Sequence, residues 1–235
     1  MIVPDRFNLA DAICKRHADA VARVALIDVK PAGSNTYTYG GLDFMSDKFA
    51  TALAGCGIIE GDAVAVITPQ SAALVIAHLG ALKTGAAVVP LPVGLDRTTI
   101  EFALKDSNAK AVVADYSIRS EIAELIGNRP LFIAGDSREA NEINHSAKSF
   151  WREVIEASSD FAAVETLSTS PAFIFYTNGA QGDPHNHSSI AERFDDFEVK
   201  DKSVLWPAAN YCSVEVLLGR IYPALWHGYA VASHS

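Results

Sequence analysis

The sequence predicts an α/β fold of mostly parallel sheets with helices on both faces, and three observations carry that prediction. Short β-branched runs alternate with stretches whose apolar residues recur every three to four positions. Glycine and proline sit at the junctions, at Gly61, Pro69, Gly85, Pro90 and Pro92. The alternation repeats several times along the chain in strand–helix–strand order, the pattern of crossover units.

Taken in order, residues 24–29 read as a strand and residues 35–38 as a second. Tyr39-Gly40-Gly41 leads into a helix over 42–54, where Leu42, Met45, Phe49, Ala52 and Leu53 share one face. Gly61-Asp62 opens a strand over 63–67, and Pro69 and Ser71 start a helix running to Lys83. Gly85 ends that helix, and residues 86–91 form a buried strand closed by Pro90 and Pro92. The cycle continues with a helix over 98–106, a strand over 111–114, a helix over 118–126 and a strand over 131–134.

Residues 135–149 turn polar and read as a loop before a short helix over 150–157; residues 158–170 connect to a strand over 171–176. Beyond it come a helix near 188–194, a strand over 203–206, a helix over about 214–226 and a last strand over 229–232. Ser233-His234-Ser235 follow that strand directly, so this reading ends the chain in mid-sheet.

Composition excludes several function classes. With 235 residues the chain can bury a full core, as one large or two small domains. The net charge is −9 and no Lys/Arg cluster stands out, which argues against nucleic acid or an anionic membrane surface as partner. The first nine residues carry Asp5 and Arg6 and no apolar core, unlike a signal peptide. The longest apolar stretches are broken by Lys83, Gly85 and Pro90, so no membrane span is expected. Three widely spaced cysteines, Cys14, Cys56 and Cys212, suit reduced cytoplasmic thiols rather than a disulfide framework.

The chemistry concentrates at residues 172–184, Ala-Phe-Ile-Phe-Tyr-Thr-Asn-Gly-Ala-Gln-Gly-Asp-Pro. An apolar strand ends in a loop of small and polar residues, a layout that can wrap backbone N–H groups around phosphate. It is not a Walker A loop, because no Gly-Lys-Ser/Thr follows at the required spacing. Read by itself, it is equally a glycine-rich turn after a strand. His185 and His187 alternate, yet without further Cys, Asp or Glu nearby they do not make a metal site.

Three segments occur in order: Thr36 to Leu42 (Thr-Tyr-Thr-Tyr-Gly-Gly-Leu), Leu82 to Leu91 (Leu-Lys-Thr-Gly-Ala-Ala-Val-Val-Pro-Leu) and the loop stretch up to Pro184. They resemble the first three signature motifs of the adenylate-forming (AMP-binding) superfamily. The flanks, Ala25-Leu-Ile-Asp28, Pro69-Gln70 and residues 222–232 (Tyr-Pro-Ala-Leu-Trp-His-Gly-Tyr-Ala-Val-Ala), look closest to acyl-CoA synthetases of the acetyl to medium-chain type. The resemblance covers essentially the whole chain. It implies that residues 1–235 are the N-terminal part of the large domain of such a synthetase, a partial AMP-binding domain without the C-terminal domain. A subdivision into 1–160 and 161–235 is the expected one.

The resemblance further implies ATP, Mg²⁺ and coenzyme A as cofactors and a small-molecule carboxylate as substrate, and a homodimer is one assembly it allows. Thr177, Asn178, Gly179, Ala180, Gln181 and Gly182 would surround the ATP phosphates, and His187 and Tyr211 would approach the substrate. No catalytic residue is carried over. Thr177, Gly179, Gly182 and Pro184 match the family pattern, whereas Asn178, Ala180 and Gln181 replace hydroxyl residues. Asn178 and Gln181 can still donate to phosphate; Ala180 cannot.

The family's Lys-Gly pair should follow Pro184, where His185-Asn186-His187 stands instead. About four residues of the return strand, the lysine among them, are therefore absent by family spacing. Either the loop is shortened in this protein or the sequence omits a loop tip, and a true peptide junction there requires Cα atoms about 3.8 Å apart. A shortened return strand should cost ladder bonds.

Asn210, Tyr211 and Cys212 lie where related synthetases line the acyl pocket, though an ordinary core aromatic is the stronger reading of Tyr211 and a small buried hydrophobe that of Cys212. His187 is in the same position: a solvated or helix-capping histidine is the plain alternative. Lys83 matches the family's motif lysine and reads as structural. Two further functions stand beside the ligase: a degenerate pseudoenzyme or binding module that keeps the fold, and an unrelated flavodoxin-like nucleotide binder. The last lacks support, because no glycine-rich loop follows the first strand.

Overall fold

A computed structural model describes residues 2–31, 33–135, 147–176, 181–197, 204–205 and 212–234. Helix α1 (Leu9–Lys15) precedes a hairpin of β1 (Val24–Lys30) and β2 (Gly33–Thr38), and α2 (Tyr39–Gly55) follows. Next come β3 (Ala63–Ile67), α3 (Ala72–Lys83), β4 (Ala87–Pro90), α4 (Arg97–Asp106), β5 (Ala111–Asp115), α5 (Arg119–Leu125) and β6 (Leu131–Ala134). Then β7 (Lys148–Ser149), α6 (Phe150–Glu156), β8 (Pro171–Phe175), β9 (Asp183–Asn186) and α7 (His187–Asp195) carry the chain to its last part. There α8 (Val214–Val216) runs through a π-helical segment (Leu217–Ile221) into α9 (Tyr222–Trp226), and β10 (Val231–His234) ends the order.

Among the described residues the strands form two sheets. Seven lie in the order β7-β6-β5-β3-β4-β8-β9, parallel throughout except for the β8/β9 pair at one edge. Three lie in the order β10-β1-β2, with β1 antiparallel to β2 and parallel to β10.

Strand alternation explains why the main sheet is covered twice. Successive side chains of a strand point to opposite faces. Val64, Val66, Val88 and Val113 accordingly join a core with α1, α2, α3 and α6 to α9, while Ala63, Ala65, Ile67, Val89 and Val112 join another with α4 and α5. All twelve residues of α3 are buried, His78 and Lys83 among them, so that helix is enclosed around its whole circumference. A Cβ on its Gly80 would lie 2.8 Å from Phe49 Cδ1 and 3.1 Å from the Ser46 carbonyl, so glycine sets how closely α2 and α3 approach.

Side-chain caps fix the helix starts. Asn8, Thr38, Ser71, Asp96, Ser149 and Asn186 each accept from backbone N–H groups in the first turn of their helices.

The structure differs from the sequence reading in several respects. Helix α1 was not expected; Asn8 nucleates it, its oxygen accepting from Ala10 and Asp11 N–H and its nitrogen donating to the carbonyls of Leu82 (2.7 Å) and Val164 (3.0 Å). The last strand starts at Val231 rather than at residue 229. Gly228, at φ +80°, ends α9, the Tyr229 N–H returns to the Ala224 carbonyl, and the Tyr229 carbonyl accepts from the Tyr39 hydroxyl.

The strand expected over 203–206 is described only at Val204 and Leu205, and Leu205 pairs in parallel with Val231, while Ser203 and Trp206 lie outside the described residues. The expected loss of ladder bonds after Pro184 does not occur either. Residues 183–186 serve as the return strand themselves, pairing Phe175 with Asp183, Ile174 with Pro184 and Phe173 with His185. Pro184 has no N–H to offer a ladder, and β9 is an edge strand, where that is tolerated.

Candidate phosphate loop

Strand β8 delivers the loop. Ala172, Phe173 and Phe175 are buried, and Phe173 and Phe175 stack with ring centroids 5.8 Å apart, which holds the strand firmly up to Tyr176. The loop therefore leaves at the C-terminal end of a strand of the parallel sheet, where open α/β sheets bind ligands. At that same end a crevice of about 210 Å³ opens beside Ser71, Asp115 and Trp151.

Thr177, Asn178, Gly179, Ala180 and Tyr211 lie outside the described residues. Gln181 is exposed beyond them, and Gly182 turns the chain into β9. Gly182 leaves no space for a side chain: a Cβ would stand 2.7 Å from both Ile174 Cγ2 and the Tyr176 hydroxyl oxygen. The Tyr176 hydroxyl and the Gly182 N–H both donate to Asp106 Oδ2, at 2.8 and 3.3 Å. Burial, and then Asp106, push the Tyr176 phenol well above its ordinary pKa, so it stays protonated as a donor.

Along β9, His185 Nε2 lies 3.1 Å from Asp183 Oδ2, and its ring meets Phe175 edge-on at 5.3 Å. Among the described residues no group of three His, Cys, Asp or Glu could hold a metal ion.

His187 is neither solvated nor beside the loop. Strand β9 runs away from Gly182, which places His187 at the far end of the hairpin, roughly 13 Å from Asp183 at the usual strand rise. It is fully buried at the first position of α7, where Nδ1 accepts from the Leu9 N–H at 3.0 Å. That bond assigns the proton to Nε2, which finds no partner among the described residues. Burial lowers the His187 pKa to about 4, so the ring is neutral.

Cys212 is half-buried, and burial pushes its thiol up to about 12, far from a reactive thiolate. Lys83 is buried beneath α2, its ammonium 2.5 Å from Asp43 Oδ1 and 2.6 Å from Asp47 Oδ1.

Sequence reasoning missed Asp106. Its signal was present only indirectly, as an acidic residue closing a predicted helix seventy residues before the loop.

The family model of AMP-binding enzymes matches residues 11–233. The chain belongs to that family. A mitochondrial acyl-coenzyme A synthetase of Homo sapiens is 24% identical over 253 residues, covering 99% of this chain and 43% of that relative. A long-chain-fatty-acid–CoA ligase of Mycobacterium tuberculosis is 29% identical over 173 residues, covering 69% of this chain and 32% of that protein. An acyl-CoA synthetase from Brucella canis superposes with a TM-score of 0.85 at 23% identity, over 97% of this chain and 43% of that one. The chain thus spans less than half the length of these relatives.

The structural match establishes for this chain the fold of acyl-CoA synthetase N-terminal domains, as the motifs implied. Among its described residues no helix is long and apolar enough to cross a membrane.

Proposed function

We propose that the chain is the N-terminal portion, a partial AMP-binding domain, of an ATP-dependent acyl-CoA synthetase. In this reading a carboxylate attacks the α-phosphate of ATP to give an acyl-adenylate and pyrophosphate, and the thiol of coenzyme A then displaces AMP. The observation that carries it is the family match over residues 11–233, with the loop after β8 standing at the carboxyl end of the parallel sheet.

The residues at hand suit a polyphosphate. Gly182 presents an N–H with no side chain in the way, and the exposed Gln181 amide can donate alongside it. Mg²⁺ would share the phosphate charge when bound. What the chain itself supplies is positioning and hydrogen-bond donation, the larger part of catalysis in such a step. Residues 177–180 complete the loop in this proposal. His187, buried at the far end of the hairpin, acts only by fixing the start of α7 against Leu9, and Tyr211 would approach the acyl group.

We assign the protein to the cytoplasm, with a small-molecule carboxylate as partner and a homodimer as a compatible assembly. The 235-residue chain alone is not a competent ligase in this reading. A second reading, a degenerate module that keeps the fold without the chemistry, is favoured by Ala180 and by His185-Asn186 standing directly after Pro184 in place of the Lys-Gly pair. The two separate in an assay of AMP release dependent on both carboxylate and coenzyme A, run on the longest product of the gene. Release with at least one acid supports the synthetase; a folded product that releases no AMP with any acid supports the module.

A further inference from the structure

The β1/β2 hairpin, α2 and α6 form a groove of about 540 Å³. The hairpin register sets Asp28 opposite Asn35 and Leu26 opposite Tyr37, so Asp28, Lys30, Asn35 and Tyr37 share one face. Helical spacing does the same for Phe44 and Lys48 on α2 and for Trp151, Val154 and Ile155 on α6. The Lys48 ammonium lies 5.4 Å from the Phe44 ring centroid and donates to the carbonyls of Ile155, at 2.9 Å, and Ala157. Lys48 thereby ties the two helical walls together at the end of α6.

The walls are apolar and the charges along them positive. Phe44 and Ile155 stay 52% and 72% exposed on the same groove, a concentration of apolar surface that marks a binding site rather than scattered exposure. Among the described residues that line it are two lysines and no carboxylate, in a chain of net charge −9. Lys48 is engaged with carbonyls, but the Lys30 ammonium stands 3.8 Å from Asp28 Oδ2, beyond hydrogen-bond range. Asp28 itself is buried and accepts from Ser233 Oγ at 3.0 Å. Lys30 and Trp151 also line the crevice beside Ser71 and Asp115, so the groove adjoins the carboxyl end of the parallel sheet at its Lys30 end.

We propose that this groove binds a small amphipathic monoanion, with a single carboxylate head and an apolar body. The body lies against Tyr37, Phe44, Met45 and Ile155, and the head meets the Lys30 ammonium with the Asn35 amide beside it. A space of this size, with mostly apolar walls and few polar groups, is that of a small-molecule site. Asp28 limits the head to one negative charge, because a second would be repelled by the carboxylate behind Lys30. None of the described lining residues belongs to β8, β9 or α7, so the groove's ligand is independent of the phosphate loop.

The test is titration of decanoate into the 235-residue chain by calorimetry, with tryptophan emission followed on the same samples. Decanoate should bind and shift the emission, and the shift should be lost in Trp151→Phe while calorimetric binding persists. Lys30→Met keeps an apolar stem and removes one charge about 4 Å from the head, so decanoate should bind about fivefold more weakly. Decanol, with the same body and no charge, should be indifferent to that substitution, and decyl phosphate should bind the wild type more weakly than decanoate. Absence of decanoate binding by the folded chain overturns the proposal, as does an equal loss of decanol and decanoate affinity in Lys30→Met or tighter binding of decyl phosphate.

Should Lys30→Met fail to fold, Phe44→Ala carries the test, since Phe44 is exposed and removes only apolar wall. Decanoate and decanol should both bind at least about threefold more weakly to it. Unchanged affinity for both in the folded variant would overturn the proposal.

Discussion

The Lys83 ammonium and the Asp47 carboxylate lie 2.6 Å apart, with Asp43 completing the pair one helical turn away on α2. Burial opposes the charge on Lys83, but the nearby Cys14 together with the hydrogen-bonded Asp43 and Asp47 carboxylates outweighs it and holds the lysine above its ordinary pKa. The motif lysine thus ties α3 to α2 and faces no ligand. Lys83→Ala should lower the unfolding free energy by about 3–4 kcal/mol, the usual cost of removing one partner of a buried pair. Asp47→Asn should cost less, since Asp43 remains. Urea titrations of both variants check the order, and pyrophosphate affinity should be unchanged in whichever variants stay folded.

Gly80→Ala sets two effects against each other. Helix propensity favours alanine by about 1 kcal/mol. The new methyl would meet Phe49 Cδ1 at 2.8 Å and the Ser46 carbonyl at 3.1 Å, and overpacking of this kind costs about 1–3 kcal/mol. The variant should be less stable on balance by thermal unfolding, whereas Gly55→Ala at the end of α2, with nothing within 4 Å, should not be destabilised by crowding.

Gly182→Ala should disturb the loop directly. Its Cβ would clash with Ile174 and Tyr176, which must move and release the Tyr176 bond to Asp106. The expected result is a loss of about 1–3 kcal/mol in stability together with weaker binding of pyrophosphate, both measurable on the same sample.

Two buried histidines give the fold an acid limit. Burial lowers His78 to about 3 and His187 to about 4, against about 6.5 in the unfolded chain. Below pH 6.5 the unfolded state takes up protons that the folded state refuses, so stability falls as the pH drops from about 6.5 toward 4 and 3. Urea midpoints measured across that window should decline, and His78→Gln should flatten part of the slope. A slope unchanged by the substitution would remove His78 from the account.

How much was legible in the sequence depended on whether the signal was local. The strands over 63–67 and 131–134 and the helices beginning near Leu42 and Ser71 were readable because periodicity and caps lie within each segment. Helix α1 escaped because its start depends on Asn8 bonding to carbonyls of Leu82 and Val164, far along the chain. The return strand at Asp183 was obscured by Pro184, which only an edge position admits. The family and the loop's place were legible from motif order. The role of Asp106 was not, since only the packing of α4 beside β8 brings a helix-terminal carboxylate to Tyr176 and Gly182.

The central claim is that this fold serves ATP-dependent carboxylate activation through the loop after β8. ATP–pyrophosphate exchange with a panel of carboxylates, run side by side on the 235-residue chain and on the longest product of the gene, tests it most directly. The account predicts exchange with at least one acid in the longer product and none in the chain alone. A folded longer product without exchange for any acid, or exchange by the chain alone, would contradict it.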